Sequence, residues 1–192
     1  TDKEMPLTKI AQMSFMPVHL PSEELGVGLQ GVGAFSAEVP SFPNGCHIAE
    51  VEIDTDTGEV RIDHYNVVDD IGTVINPLLA KAQIHGGVVQ GVGQALLEDL
   101  TYDRESGQLL AGSFMDYGMP RADLMPEIKV DFSPVRSKSN PLGAKGVGEG
   151  GTVAGTPTIV NAILDALAPL GVQKIDTPVT PQRVWNAIND AA

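Results

Sequence analysis

The residues best suited to chemistry lie in Ser139-Asn-Pro-Leu-Gly-Ala-Lys145-Gly-Val-Gly-Glu149-Gly-Gly-Thr152, where one ammonium and one carboxylate stand among five glycines. Glycine lets backbone approach a ligand closely and offers amides with no side chain in the way. A carboxylate without bulky neighbours can face a cavity, where desolvation brings its pKa toward the range useful to a general base. The amides of a helix that starts just downstream would favour negative charge. A solvated glutamate on a surface loop is the plain alternative. A second cluster, Gln83-Ile-His-Gly-Gly-Val-Val-Gln90-Gly91, sets two carboxamides seven residues apart. That spacing is ~two helical turns, so both fall on one face. Carboxamides carry donors and acceptors together, which suits the edge of a pterin or nucleobase. Here the alternative is that both glutamines cap neighbouring loops.

Other patterns carry less. Gly26-x-Gly28-x-x-Gly31 and Gly146-x-Gly148-x-x-Gly151 match the dinucleotide fingerprint in spacing only. Neither opens a strand–helix unit with an acid about 20 residues on, which gives that motif its meaning. Asp54-x-Asp56-x-Gly58 has no closing glutamate for a calcium loop and reads as turn acids. His19, His47, His64, His85 and Cys46 lack the spacing of metal ligands. Each histidine is expected to be a hydrogen-bonded structural residue and Cys46 a small buried thiol, with no protein-ligated metal. No Gly-x-Ser-x-Gly elbow or Cys/His pairing suggests a covalent nucleophile.

The elements that must position these residues follow from pattern. Residues 1–45 hold Pro6, Pro17, Pro21, Pro40 and Pro43 between short apolar pieces, and predict an irregular segment of loops with one or two short strands. This segment reads as the remnant of an upstream domain, and 46–192 as the ordered domain. His47–Asp54 and Arg61–Val68 alternate, with a slip near Ala49, and flank a turn at Gly58, predicting a β-hairpin. Asn76 caps and Pro77 opens a helix to about Asp99. Its four glycines, Gly86, Gly87, Gly91 and Gly93, each cost ~1 kcal/mol relative to alanine. They imply that another backbone or a ligand comes close, or that helix and sheet pack tightly. A second hairpin is expected over Tyr102–Phe114, a strand over Glu127–Phe132, a loop over 133–155, and helices opening at Thr156-Pro157 and Thr180-Pro181. This order predicts an α+β two-layer sandwich, a mostly antiparallel sheet with helices on one face.

The bulk composition limits partners. With 192 residues, 42% of them hydrophobic, the chain can bury a core. A formal net charge of −13 opposes nucleic-acid and anionic-membrane surfaces, though not a small anionic cofactor. One cysteine suits a reducing compartment, hence the cytoplasm, and no apolar run looks long enough for a membrane span. The chain opens on Thr1 and is expected to be a piece of a longer one.

Val68-Asp-Asp-Ile-Gly-Thr-Val-Ile-Asn-Pro77, Gln83–Leu96, Ser113-Phe-Met-Asp-Tyr-Gly-Met-Pro120 and Asn140–Glu149 follow in that order. Together they resemble the C-terminal part of the molybdopterin-binding large subunit of the xanthine dehydrogenase/aldehyde oxidase family, in its aerobic carbon monoxide dehydrogenase form. The resemblance implies a molybdenum–molybdopterin cofactor, of the cytosine dinucleotide form, in the full-length subunit. It implies a small-molecule substrate, and iron–sulfur and FAD subunits or domains as partners beside the upstream part of the same subunit. Glu149 matches the family's glutamate, which takes a proton from a molybdenum-bound hydroxyl that attacks an electron-poor carbon. Lys145, Gly146 and Gly148 match residues lining the cofactor; Gln83, and more weakly Gln90, match glutamines beside the pterin. A fragment of this size is expected to hold no cofactor and to be inactive alone. A non-catalytic binding or scaffold module with the same fold is the alternative.

Overall fold

A computed structural model describes residues 3–16, 18 and 26–191. Contacts divide the chain into two compact units, Thr1–Ala37 and Glu38–Ala192. In the first, helix α1 spans Leu7–Ser14, and the amide of Gly28 donates to Ser14 O at 2.9 Å. The short strands expected before residue 45 are not found among the described residues; a helix stands there instead. Leu7, Ile10, Ala11 and Ser14 recur at helical spacing. His19 lies outside the described residues.

The second unit is built on strands β1 (Asn44–Ile53), β2 (Val60–Asp70) and β3 (Ile128–Phe132), in that order across the sheet. β1 pairs antiparallel with β2 along its whole length, and β3 pairs parallel with β2 from Tyr65↔Ile128 to Asp69↔Phe132. The expected α+β sheet is therefore present, its longer pairing antiparallel as expected and its shorter one parallel. The hairpin turn is fixed by Asp54, whose Oδ1 accepts from the amides of Asp56 and Thr57 at 2.9 and 3.2 Å. Gly58 sits there at φ +75° with no room for a Cβ, since Pro181 O occupies that space. The expected slip near Ala49 is in the other strand. Glu50 faces His64 and Val51 faces Ile62, so Asp63 is the extra residue of a bulge. β1 alternates without interruption: His47, Ala49, Val51 and Ile53 are the less exposed set, and Ile48 points outward.

Helix α2 (Pro77–Leu96) begins as read, with Asn76 Oδ1 accepting from the amide of Leu79 at 3.2 Å and Pro77 in the first turn. Helix α3 (Gly150–Leu167) begins six residues before Thr156, and Pro157 lies inside it. Helix α4 spans Pro181–Ala191. Pairing of Gly87 with Gly151 and of Gly91 with Gly155 shows that α2 and α3 run in the same direction. A Cβ on Gly91 would lie 2.7 Å from Thr156 N and 2.8 Å from Gly155 Cα. Gly87 and Gly91 thus answer to a neighbouring helix backbone, whereas Gly86 borders open space and Gly93 meets the side chains of Glu98 and Pro120. Thr152 Oγ1 bonds Gly87 O and Gln90 Oε1 at 3.2 and 3.0 Å; Thr156 Oγ1 repeats this on Gly91 O and Gln94 Oε1 at 3.1 and 3.2 Å.

The core between sheet and helices holds Ile62, Tyr65, Val67, Ile84, Val88, Val92, Val130, Ile159, Ile163 and Leu167. Each fully buried aliphatic side chain contributes roughly 1.5–3 kcal/mol. Gly150–Leu170 is, contrary to the sequence reading, long and apolar enough to cross a membrane by length and composition alone. Its Gly151, Gly155, Ile159, Ile163 and Leu167 are buried, the three aliphatic ones in this core. The expected second hairpin shrinks to one bridge, Tyr102↔Leu109, closed by a turn in which Asp103 Oδ1 accepts from the Ser106 amide at 2.8 Å. Cys46 is exposed on the outer sheet face, not buried.

Candidate functional site

The site gathers where β2 ends and α3 begins. Inward alternation along β2 takes Tyr65, Val67 and then Asp69 into the interior. His47, on the neighbouring strand, joins them. Its Nε2 lies 3.3 Å from Asp69 Oδ1 and its Nδ1 lies 3.0 Å from Tyr65 Oη, with side-chain exposures of 2% for His47 and 5% for Asp69. A carboxylate only accepts, so Nε2 carries a proton toward Asp69, which leaves Nδ1 free to accept from the tyrosine. Burial pushes the Tyr65 hydroxyl up to about 12, against the opposing hydrogen bond with Thr158 on α3 and with a smaller push from Asp69. His47 is thus the hydrogen-bonded histidine expected from sequence. Gly45 is required beside it, because a Cβ there would run into the Asp69 carboxylate.

Asp70, one residue on, turns the other way. Its Oδ1 accepts from the amides of Gly72 and Val135, both at 2.9 Å, and its Oδ2 pairs with the Lys145 ammonium. Side-chain exposures of 14% and 12% make this a nearly buried ion pair. Burial pushes the Asp70 carboxyl up, but Lys145 and the two amides outweigh it and hold the group at about 2. The loop also pairs with the chain after β2: Lys145 N donates to Ile71 O at 2.8 Å and Thr73 N to Gly143 O at 2.9 Å.

Gly146, Val147 and Gly148 then lead to Glu149, the residue that immediately precedes α3. Val147 packs on the core. Gly148 borders open space, and Gly146 meets only Ser41 O at 3.9 Å. Gln83 reaches across from α2, its Nε2 donating to Gly148 O at 2.9 Å. Glu149 accepts at its carbonyl from the amide of Val153 at 3.0 Å. Its side chain makes no capping bond and is exposed, so the first amides of α3 have no side-chain partner. Beside it opens a cleft of about 340 Å³, whose lining includes Phe42, Pro43, His47, Asp69, Glu149 and Val153.

Of the residues singled out by sequence, Gln83, Lys145, Gly146, Gly148 and Glu149 therefore converge. Gln90 stands about two turns farther along α2, with Oε1 on Thr152. The sequence reading passed over Asp69 and Asp70. Their signal was available: two carboxylates in succession end an otherwise alternating strand, so one must face inward.

A layer of helices on a small sheet thus presents an unengaged carboxylate on a glycine-framed loop, steadied by a carboxamide. Comparison with known proteins makes this specific. The molybdopterin cofactor-binding domain model matches residues 1–126. A carbon monoxide dehydrogenase large chain of Hydrogenophaga pseudoflava is 35% identical over 181 residues, 94% of this chain and 22% of that protein. A nicotine 6-hydroxylase large subunit of Paenarthrobacter nicotinovorans is 39% identical over 160 residues, 83% of this chain and 20% of that protein. Quinoline 2-oxidoreductase from Pseudomonas putida 86 superposes with a TM-score of 0.86 at 34% identity, covering 97% of this chain and 24% of its own. The chain belongs to the molybdopterin cofactor-binding domain family, the cofactor-binding part of molybdenum hydroxylase large subunits of the xanthine dehydrogenase and carbon monoxide dehydrogenase kind. It spans between a fifth and a quarter of the length of these relatives.

Proposed function

We propose that this chain supplies the proton-accepting side of a molybdenum hydroxylase active site, with Glu149 as general base for hydroxylation at an electron-poor carbon of a small-molecule substrate. The observation that carries the reading is the state of Glu149: an exposed carboxylate with no capping bond, held over a cleft by a loop that is otherwise fastened. A general base needs such an unengaged oxygen within reach of the proton it takes.

The residues present suit a molybdenum–pterin group. Gly146 and Gly148 have space before them for close approach. Gln83 keeps Oε1 and Gln90 keeps Nε2 after their bonds to Gly148 and Thr152, offering an acceptor and a donor to a pterin edge. Uncapped amides at the start of α3 favour an anion. When bound, the cofactor, proposed to be of the cytosine dinucleotide form, takes up the two electrons released as the carbon is hydroxylated. Glu149 accepts the proton at a carboxylate oxygen from the attacking hydroxyl. His47 and Asp69, backed by the buried Tyr65, line the cleft beside it, and Lys145 contributes through the loop that it anchors.

Turnover requires the rest of the large subunit, with iron–sulfur and FAD partners to carry electrons away; this chain alone is inactive and holds no cofactor. The cytoplasm, a reducing compartment, suits its single exposed cysteine. The test is Glu149→Gln in the full-length subunit. Turnover should fall by ~10²–10⁴-fold, the usual worth of a general base, with molybdenum and pterin content unchanged. Normal turnover in that variant removes the assignment.

A further inference from the structure

The loop that presents Glu149 is held unevenly. From Arg136 to Lys145 the chain is fastened repeatedly. Arg136 Nη2 donates to Pro141 O at 3.0 Å, Ser137 N to Gly143 O at 3.0 Å, and Asn140 bonds Ala144 through both its amide nitrogen and its oxygen. Between Gly146 and Glu149 the hold reduces to the packing of Val147 and the bond from Gln83 to Gly148 O. Two glycines in that stretch leave its backbone intrinsically loose. The last loop residue before the carboxylate that is fastened through its own polar side chain is Lys145, and that side chain is spent on Asp70. That carboxylate in turn holds the amides of Gly72 and Val135, so one group ties the end of β2 to both ends of the 133–145 loop. Gly72, at φ +65°, brings the two backbones together; a Cβ there would run into Gly143 O.

We propose that Lys145 is a positioning residue for Glu149, acting through Asp70, and does not itself touch cofactor or substrate. The inference rests on the reading of Glu149 as the base. An ammonium 12% exposed and engaged by a carboxylate is a strut. Its removal lets the Gly146–Gly148 hinge carry Glu149 away from the proton it accepts. A displacement of ~1 Å in such a group can cost ~10²-fold in rate.

The experiment uses the full-length subunit in its assembled enzyme, with Lys145→Met, Lys145→Arg, Asp70→Asn and the Lys145→Met/Asp70→Asn pair. Amide hydrogen exchange, molybdenum and pterin content, kcat and KM are measured on each. Lys145→Met and Asp70→Asn should each speed exchange at Gly72, Val135 and across 143–148 by about tenfold or more. They should lower kcat by up to ~10²-fold with KM and cofactor content little changed. The double variant should be no worse than the poorer single one, because both break one interaction. Lys145→Arg, which keeps the cation, should recover most of the exchange protection and of kcat. If Lys145→Met does not accumulate, the milder Lys145→Arg and Asp70→Asn carry the same comparison, with exchange and kcat expected to move together. Loss of cofactor from Lys145→Met with unchanged exchange would make Lys145 a ligand and overturn the proposal. So would looser exchange at full kcat. The exchange readout does not involve Glu149, so turnover by Glu149→Gln would remove the base assignment and leave the strut standing.

Discussion

Two alanine substitutions on helix α2 should move stability in opposite directions. Gly86 and Gly91 are both interior to the helix, and alanine gains ~1 kcal/mol over glycine at such positions through reduced backbone entropy. At Gly86 a Cβ meets nothing within 4 Å, so the gain stands alone. At Gly91 the new carbon would lie 2.7 Å from Thr156 N and 2.8 Å from Gly155 Cα. Both are backbone atoms of α3, and no flexible side chain can yield. Overpacking costs ~1–3 kcal/mol, and a backbone-on-backbone clash belongs at the upper end. Subtracting the ~1 kcal/mol gain leaves a loss of about 2 kcal/mol. One kcal/mol moves the melting temperature of a chain this size by ~2–4 °C. Gly86→Ala should therefore raise Tm by ~2–4 °C and Gly91→Ala lower it by ~4–8 °C, read by circular dichroism on this chain. Equal shifts of one sign would refute the claim that the α2–α3 crossing selects its glycines.

Acid should weaken the fold through Asp70, whose carboxyl is held from an ordinary 3.8 down to about 2. The unfolded chain protonates first, so this contribution is complete above pH ~4 and gone below pH ~2, and is worth about 2 kcal/mol at neutral pH. Asp70→Asn should lower stability at neutral pH and flatten the dependence in that interval, as acid-unfolding curves would show. Gly58→Ala should destabilise more than Gly86→Ala stabilises. Gly58 has φ +75°, and a Cβ there would run into Pro181 O and lie 2.9 Å from Trp185 N. A denaturant midpoint unchanged by Gly58→Ala would contradict the packing of α4 on the hairpin turn.

Where the chain's signals are local, the sequence reading holds. The Asp54–Gly58 turn, the Asn76-Pro77 start and the Lys145–Glu149 loop each depend on residues whose conformational preference is their own. Where tertiary contact decides, it fails. Thr156-Pro157 carries the same cap-plus-proline signature as Asn76-Pro77, yet Pro157 is inside α3. The true start was hidden because Gly150, Gly151 and Gly155 are poor helix formers, the last two answering to a helix backbone that the sequence does not display. Strands were expected on both sides of Gly107, but Leu100, Tyr102 and Leu110 remain exposed and only one bridge forms. The bulge at Asp63 was likewise felt as a slip but placed in the wrong strand, since alternation in β1 alone cannot say which partner carries the extra residue. In the candidate site the carboxylate and its glycines stand out in the sequence, while for Asp69 and Asp70 alternation shows only that one must face inward. Their roles arise only when β2 sends neighbouring side chains to opposite sides.

The contacts between α2 and α3 have a period. Thr152 on Gly87 and Gln90 is reproduced one turn later by Thr156 on Gly91 and Gln94. Slid by one turn, ~6 Å along the helix axis, this ladder would keep only one of its two rungs, so the rungs set phase as well as direction. Contacts that have no second copy add to this: Gln83 on Gly148 at one end, and the buried Ile84, Val88, Ile159 and Ile163 along the seam. The Gln83 carboxamide thus acts as an index pin.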